Sequence, residues 1–110
     1  MGLILASSSP RRKRILEDLG YNFECISPNI DESNSSNLKP IDYVVDVSER
    51  KGSHVWNNNQ GSHVISGDTI IDFNGKIIGK PSSNDAAFKI IQKLSNHTHS
   101  VISGLSLFYD

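Results

Sequence analysis

The chain has 110 residues, room for one domain around one modest core, and its 36% hydrophobic and 21% charged residues exclude a collagenous or wholly disordered chain. Eleven Lys and Arg against twelve Asp and Glu leave a net charge of -1, which excludes a coat for a nucleic-acid polymer, so any anion site has to be local. A lone Cys25 excludes an internal disulfide and a multi-thiolate zinc site and reads as a small core residue in a reducing compartment. With no apolar run of membrane-spanning length and no signal-peptide order at the N-terminus, the chain reads as cytoplasmic with no membrane partner.

In chain order, Leu3–Ala6 is a short apolar run that predicts a strand. It stops at Ser7-Ser8-Ser9-Pro10, after which Ile15, Leu16 and Leu19 recur at helical spacing up to Gly20. Ser9 fits an N-cap, Pro10 the first helical position and Gly20 the C-terminal cap, so the segment reads as strand, tight loop, helix. Phe23, Cys25 and Ile26 predict a second short strand, and the polar residues 27–40 a surface loop that carries Asp31 and Glu32 near its start. Tyr43, Val44, Val47 and the run to Val55 predict a second helix, ended by Trp56 and the turn Asn57-Asn58-Asn59-Gln60-Gly61.

His63–Phe73 is β-branched and apolar except at Ser66-Gly67-Asp68-Thr69, and Asn74-Gly75 gives the hairpin signal before Lys76-Ile77-Ile78. Ser82 with Asp85 makes a capping-box pattern ahead of the helical stripe Ala86, Ala87, Ile90, Ile91 and Leu94. Ser100–Phe108 is a final strand. The order predicts a mixed α/β or α+β sheet. Residues 105–109 are strongly apolar and lack the polar tail that usually closes a domain, so the chain reads as cut short.

Arg11, Arg12, Lys13 and Arg14 crowd the first turn of the first helix, where the macrodipole disfavours cations by roughly 0.3–1 kcal/mol each. A bound anion reverses that sign, because the N–H groups from Ser9 onward, the serine hydroxyls and the guanidinium forks converge there, and a polyphosphate is the simplest such anion. Arg12 heads the stripe of Ile15, Leu16 and Leu19 and leans over the sheet, while Lys13 faces solvent. A solvated basic turn or a nuclear-import signal is the competing reading. Asp68 interrupts a strand that otherwise reads as buried, and an ionised carboxylate there needs a cation partner or a shifted pKa, as a metal ligand or general base does. Gly67 lets a substrate approach the backbone. Lys51, Lys80 and Glu32 each read singly as surface residues and gain weight only in company.

Leu5-Ala6-Ser7-Ser8-Ser9-Pro10-Arg11-Arg12, Asp31-Glu32, Lys51-Gly52, Gly67-Asp68-Thr69, Gly79-Lys80-Pro81, and Leu94-Ser95 followed by His99-Ser100-Val101 stand in the order and spacing of the Maf-like nucleotide pyrophosphatases, which the chain resembles along essentially its whole length. It departs from that pattern at Ser66-Gly67 before the aspartate and at Asn96 after Leu94-Ser95. The resemblance implies one domain over residues 1–110, the N-terminal part of the usual family domain. Its fold would be α/β, a mixed elongated sheet flanked by helices with a central nucleotide cleft, like inosine triphosphate pyrophosphatase. The implied reaction is hydrolysis of a nucleoside triphosphate to the monophosphate and pyrophosphate with Mg2+ or Mn2+, by a homodimer.

By the same resemblance Asp68, Lys51 and Lys80 are catalytic positions, Ser9, Arg11, Arg12 and Thr69 bind substrate, and Glu32 and Asp68 hold the metal. Arg11 and Thr69 match the family type that prefers dTTP and UTP over 7-methyl-GTP. A non-catalytic nucleotide- or phosphate-binding module is the alternative that the same residues allow.

Overall fold

The computed structural model describes residues 2–109. Five strands and three helices follow in the order β1 (Leu3–Ala6), α1 (Pro10–Asp18), β2 (Glu24–Cys25), α2 (Pro40–Asn57), β3 (His63–Phe73), β4 (Lys76–Ile78), α3 (Asn84–Leu94) and β5 (Ser100–Phe108). The strands form one mixed sheet, β2-β1-β3-β4 in order, with β5 on the other side of β3. β1 runs parallel to β2 and β3, whereas β4 and β5 run antiparallel to β3. The molecule is elongated, 47 × 32 × 22 Å.

Local signals set most boundaries. Ser9 caps α1 by accepting from Arg12 N, and Pro10 opens it. Gly20, at φ 85°, closes it with Gly20 N donating to Glu17 O and Tyr21 N to Leu16 O, the paired bonds of a Schellman motif. Asn74 and Gly75 both take positive φ, as a two-residue turn between Phe73 and Lys76 requires. Two boundaries differ from expectation. Ser83, not Ser82, caps α3 through Ala86 N. α2 starts three residues before Tyr43 because Pro40 supplies the first helical φ, with Lys39 ahead of it giving no side-chain cap.

The core lies between α2 and one face of the sheet: Ile4, Ala6, Val55 and Val64, with Ile26, Trp56 and Phe108 packed against them. Val44, Val47, Ser48, Gly52 and Val55 are the buried stripe of α2, at helical spacing. Gly52 and Gly104 let the helix come close. A Cβ on Gly52 would stand 2.6 Å from Ser66 Oγ, and one on Gly104 would stand 2.8 Å from Val44 O. Ser66 Oγ donates to Ser48 O at 2.7 Å, and Ser48 Oγ and Ser106 Oγ are 2.8 Å apart, so the polar atoms of this contact are paired.

The other face is less covered. α1 buries no residue, and Ile15 and Leu19 stay exposed. Val101, Leu105 and Leu107, alternating along β5 away from α2, are exposed too. Cys25 is likewise exposed rather than in the core, because β2 is a two-residue edge strand paired on one side only. In α3, Ile91 is exposed, and Ala86, Ala87, Ile90 and Leu94 are half-buried.

Candidate active site

β3 pairs with β5 through nine successive residues without a bulge, so its side chains alternate strictly between the two faces of the sheet. Ser66, Asp68 and Ile70 face α2; Gly67 and Thr69 face the opposite side. The candidate residues therefore fall into two groups separated by the thickness of one strand.

On the α2 face, Lys51 Nζ donates to Asp68 Oδ1 at 3.1 Å and lies 3.5 Å from Glu32 Oε1. The Lys51 and Asp68 side chains are only 12% and 14% exposed, that of Glu32 48%. Asp68 thus has the cation partner that its place in the strand demands, and Lys51 is pinned between two carboxylates in a partly desolvated pocket. Tyr43 donates its hydroxyl to Glu32 O at 2.6 Å. Burial, and then the nearby carboxylates of Asp68 and Glu32, push the Tyr43 phenol above its ordinary value, so the hydroxyl stays a donor. Arg50 ion-pairs with Asp46 at 2.9 Å. Its Nη1 and Nη2 donate to Asp31 O and Ser33 O at 2.5 and 3.1 Å. Asp31 turns away from Lys51: its carboxylate accepts from Ser33 N at 2.9 Å and Ser33 Oγ at 3.0 Å, which holds it below the ordinary carboxylate value.

On the other face, Arg12 Nη2 donates to Thr69 Oγ1 at 2.9 Å, and Thr69 Oγ1 and Ser103 Oγ are 2.9 Å apart. The guanidinium lies over Gly67, where an added Cβ would meet Arg12 Nε at 3.4 Å. Arg12 is half-buried, and Arg11, Lys13 and Arg14 are exposed; of the stripe that Arg12 was expected to head, Leu16 alone is half-buried, and Ile15 and Leu19 are exposed. The loop before α1 is more closed than expected. Ser9 N already donates to Ser7 Oγ at 3.0 Å, and Ser9 Oγ already accepts from Arg12 N at 3.4 Å. Any anion there has to compete with these bonds.

A notch joins the two faces. β1 pairs with β3 only as far as Ala6 opposite Ser66, and β4 only from Ile78 opposite Ile71. Between Ser66 and Ile71, that edge of β3 has no ladder partner among the described residues. The serine loop leaves β1 toward this gap, and Gly79-Lys80-Pro81 leaves β4 toward it from the opposite direction, since the strands run oppositely along β3. Ligands of open α/β sheets lie at such points, outside the ends of strands where the pairing changes partner. Lys80 is exposed beside the notch and joins none of the ion pairs among the described residues.

The donor set suits a hard divalent cation. Glu32 and Asp68 offer carboxylate oxygens toward one place, already shared by an ammonium, and Mg2+ and Mn2+ are commonly held by one or two carboxylates with water and phosphate oxygens completing the shell. Among the described residues no three His, Cys, Asp or Glu side chains converge. Tyr43, Arg50 and Ser103 are site neighbours that the sequence did not single out. Tyr43 looked like one more apolar position of α2; its spacing of eight from Lys51, two helical turns, was the available signal.

The fold is a mixed α/β class shared with a solved structure: that of the Staphylococcus aureus Ham1 protein superposes with a TM-score of 0.56 over 98% of this chain and 63% of its own, at 16% identity. A model of the Maf-like protein family matches residues 2–110, and the chain belongs to that family. Its relatives include a protein named dTTP/UTP pyrophosphatase from Fusobacterium nucleatum, 39% identical over 102 residues, 92% of this chain and 52% of that relative. Another of that name, from Caldicellulosiruptor bescii, is 41% identical over 109 residues, 96% of this chain and 55% of that relative. The chain spans about half the length of the curated relatives it matches. No helix among the described residues is long and apolar enough to cross a membrane.

Proposed function

We propose that the chain carries the phosphate-handling half of a nucleoside triphosphate pyrophosphatase that hydrolyses dTTP and UTP to the monophosphate and pyrophosphate. The observation that carries this reading is the Lys51 ammonium between Asp68 and Glu32 at the open edge of β3, in a family member whose relatives are named dTTP/UTP pyrophosphatase. The triphosphate lies in the notch between the serine loop and Lys80. Asp68 orients a water molecule and takes its proton as the water oxygen attacks the α-phosphorus; the bond to the bridging oxygen breaks, and pyrophosphate leaves with the electron pair. Lys51 fixes the Asp68 carboxylate, while Arg12 and Lys80 absorb charge on the leaving phosphates. Ser9 and Arg11 line the phosphate side and Thr69 the base side. Glu32 and Asp68 would hold the Mg2+ or Mn2+, which when bound neutralises phosphate oxygens.

The reading extends to a homodimer in the cytoplasm, the compartment that suits an exposed free thiol at Cys25. The test is hydrolysis of dTTP, UTP and 7-methyl-GTP with Mg2+ or Mn2+ in 18O-water. Pyrophosphate release with the label in the monophosphate, fastest for dTTP and UTP, is expected. Orthophosphate release, or a preference for the methylated purine, would overturn the reading. The second reading is a binding module without turnover, and nucleotide binding without pyrophosphate release is its signature.

A further inference from the structure

Three consecutive backbone carbonyls of the acidic loop are gripped by two side chains of α2. Arg50 donates to Asp31 O and Ser33 O, and Tyr43 donates to Glu32 O between them. Arg50 is itself steadied by Asp46, one turn earlier on the same helix. Tyr43, Arg50 and Lys51 fall within two turns of one rigid element, so the groups that hold the loop and the ammonium that meets its carboxylate cannot drift apart.

Residues 31–33 are all exposed, and water would satisfy their carbonyls equally well. The gain from these bonds is position rather than energy. Glu32 is half exposed on a flexible side chain, and pinning its backbone limits the carboxylate to the neighbourhood of Lys51 and Asp68.

We propose that Tyr43 and Arg50 are positioning residues that clamp the carbonyls of Asp31, Glu32 and Ser33 to α2 and so place the Glu32 carboxylate beside Asp68 to share a divalent cation. The cation is that of the pyrophosphatase reading, on which this rests; the clamp adds two residues that touch neither substrate nor metal and act through Glu32.

The test is Mn2+ binding to the whole chain without nucleotide, followed by electron paramagnetic resonance, with melting temperatures measured in parallel. Tyr43→Phe and Arg50→Gln each weaken Mn2+ by about tenfold, the usual scale for partners behind a metal ligand. Arg50→Lys, which can still reach one carbonyl, loses less. In the Glu32→Gln background, Tyr43→Phe adds no further loss, because its effect passes through the missing carboxylate.

A Tyr43 that only stabilised the fold would weaken Mn2+ equally with and without Glu32. That result, or wild-type affinity in both single variants, overturns the clamp and leaves the pyrophosphatase reading standing. A wild-type chain that takes up no Mn2+ overturns the shared metal site, and the clamp's role with it, whereas pyrophosphate release reports on the reading separately. Should Arg50→Gln fail to fold, Tyr43→Phe, which removes a single oxygen, decides alone.

Discussion

Lys51 and Asp68 meet across the interface of α2 and β3, Nζ to Oδ1 at 3.1 Å, on side chains that are almost out of water. Each is the reason the other can stay charged there, since an unpaired ion in that position would lose its hydration without compensation. The pair also ties the helix to the strand that carries the proposed general base.

Replacing Asp68 by Asn keeps an oxygen for Lys51 but removes the carboxylate proposed to accept the proton of water. Turnover is expected to fall by at least about 100-fold, the low end for general-base loss, with nucleotide affinity little changed. Single-turnover pyrophosphate release and calorimetric binding measure the two separately. Undiminished release by the variant would take Asp68 out of the reaction.

Arg12 and Lys13 are neighbours with different surroundings: Arg12 reaches Thr69 across the sheet, and Lys13 is exposed. Arg12→Ala is expected to weaken triphosphate binding by about tenfold or more, as befits loss of a charge-assisted hydrogen bond, and Lys13→Ala by much less. Equal losses that vanish in salt would mean that a diffuse field, not a contact, binds the phosphates.

Gly104 stands opposite Asp68 in the ladder with the backbone of Val44 against it; a Cβ there would lie 2.8 Å from Val44 O and 3.1 Å from Val44 C. Backbone atoms cannot swing aside, so Gly104→Ala has to push α2 off the sheet at a cost of about 1–3 kcal/mol. For a domain of this size each kcal/mol lowers the Tm by roughly 4–8 °C. Gly79→Ala, whose Cβ would meet nothing within 4 Å, serves as the control with an unchanged Tm. A Gly104→Ala protein that melts with the wild type would show that helix and strand are not in close contact.

Asp31 is held below its ordinary value of 3.8 first by Ser33 N–H and then by the Ser33 hydroxyl. A depressed carboxylate supports the fold above its unfolded value, and that support fades as pH falls through the lower folded value. In a carbon-13 NMR titration the Asp31 midpoint is expected below 3.8, and Ser33→Ala should move it upward. A midpoint at or above 3.8 would mean that the turn at residues 31–33 does not form in solution.

Most of the elements were legible in the chain because their determinants are local. Ser9, Pro10 and Gly20 bound α1, and Asn74-Gly75 sets a two-residue turn, each through the torsion angles or donors of its own residues. The same holds for the types of the candidate residues, since a carboxylate amid a buried strand and a basic first turn are anomalies that a sequence displays. Distribution over the two faces of the sheet was not legible. It follows from the β3–β5 register, and one residue of slip would have exchanged the surroundings of Asp68 and Thr69.

By itself, then, the sequence determined the mixed α/β architecture, the strand and helix that flank the serine loop, and the anomalies of Asp68 in a buried strand and Arg12 in a basic first turn, whereas Lys51 and Glu32 joined them only through the family resemblance. Only the tertiary structure decided that Lys51 sits between Asp68 and Glu32 while Arg12 turns to Thr69, and that Tyr43 and Arg50 hold the acidic loop. It also decided that Cys25, Ile15 and Leu19 stay in water. The physical reason is range. Capping and turn signals act within a few residues, but an ion pair between positions 17 apart, or 19 apart for Lys51 and Glu32, depends on where the packing of α2 on β3 and β5 brings them, and periodicity carries no record of that distance.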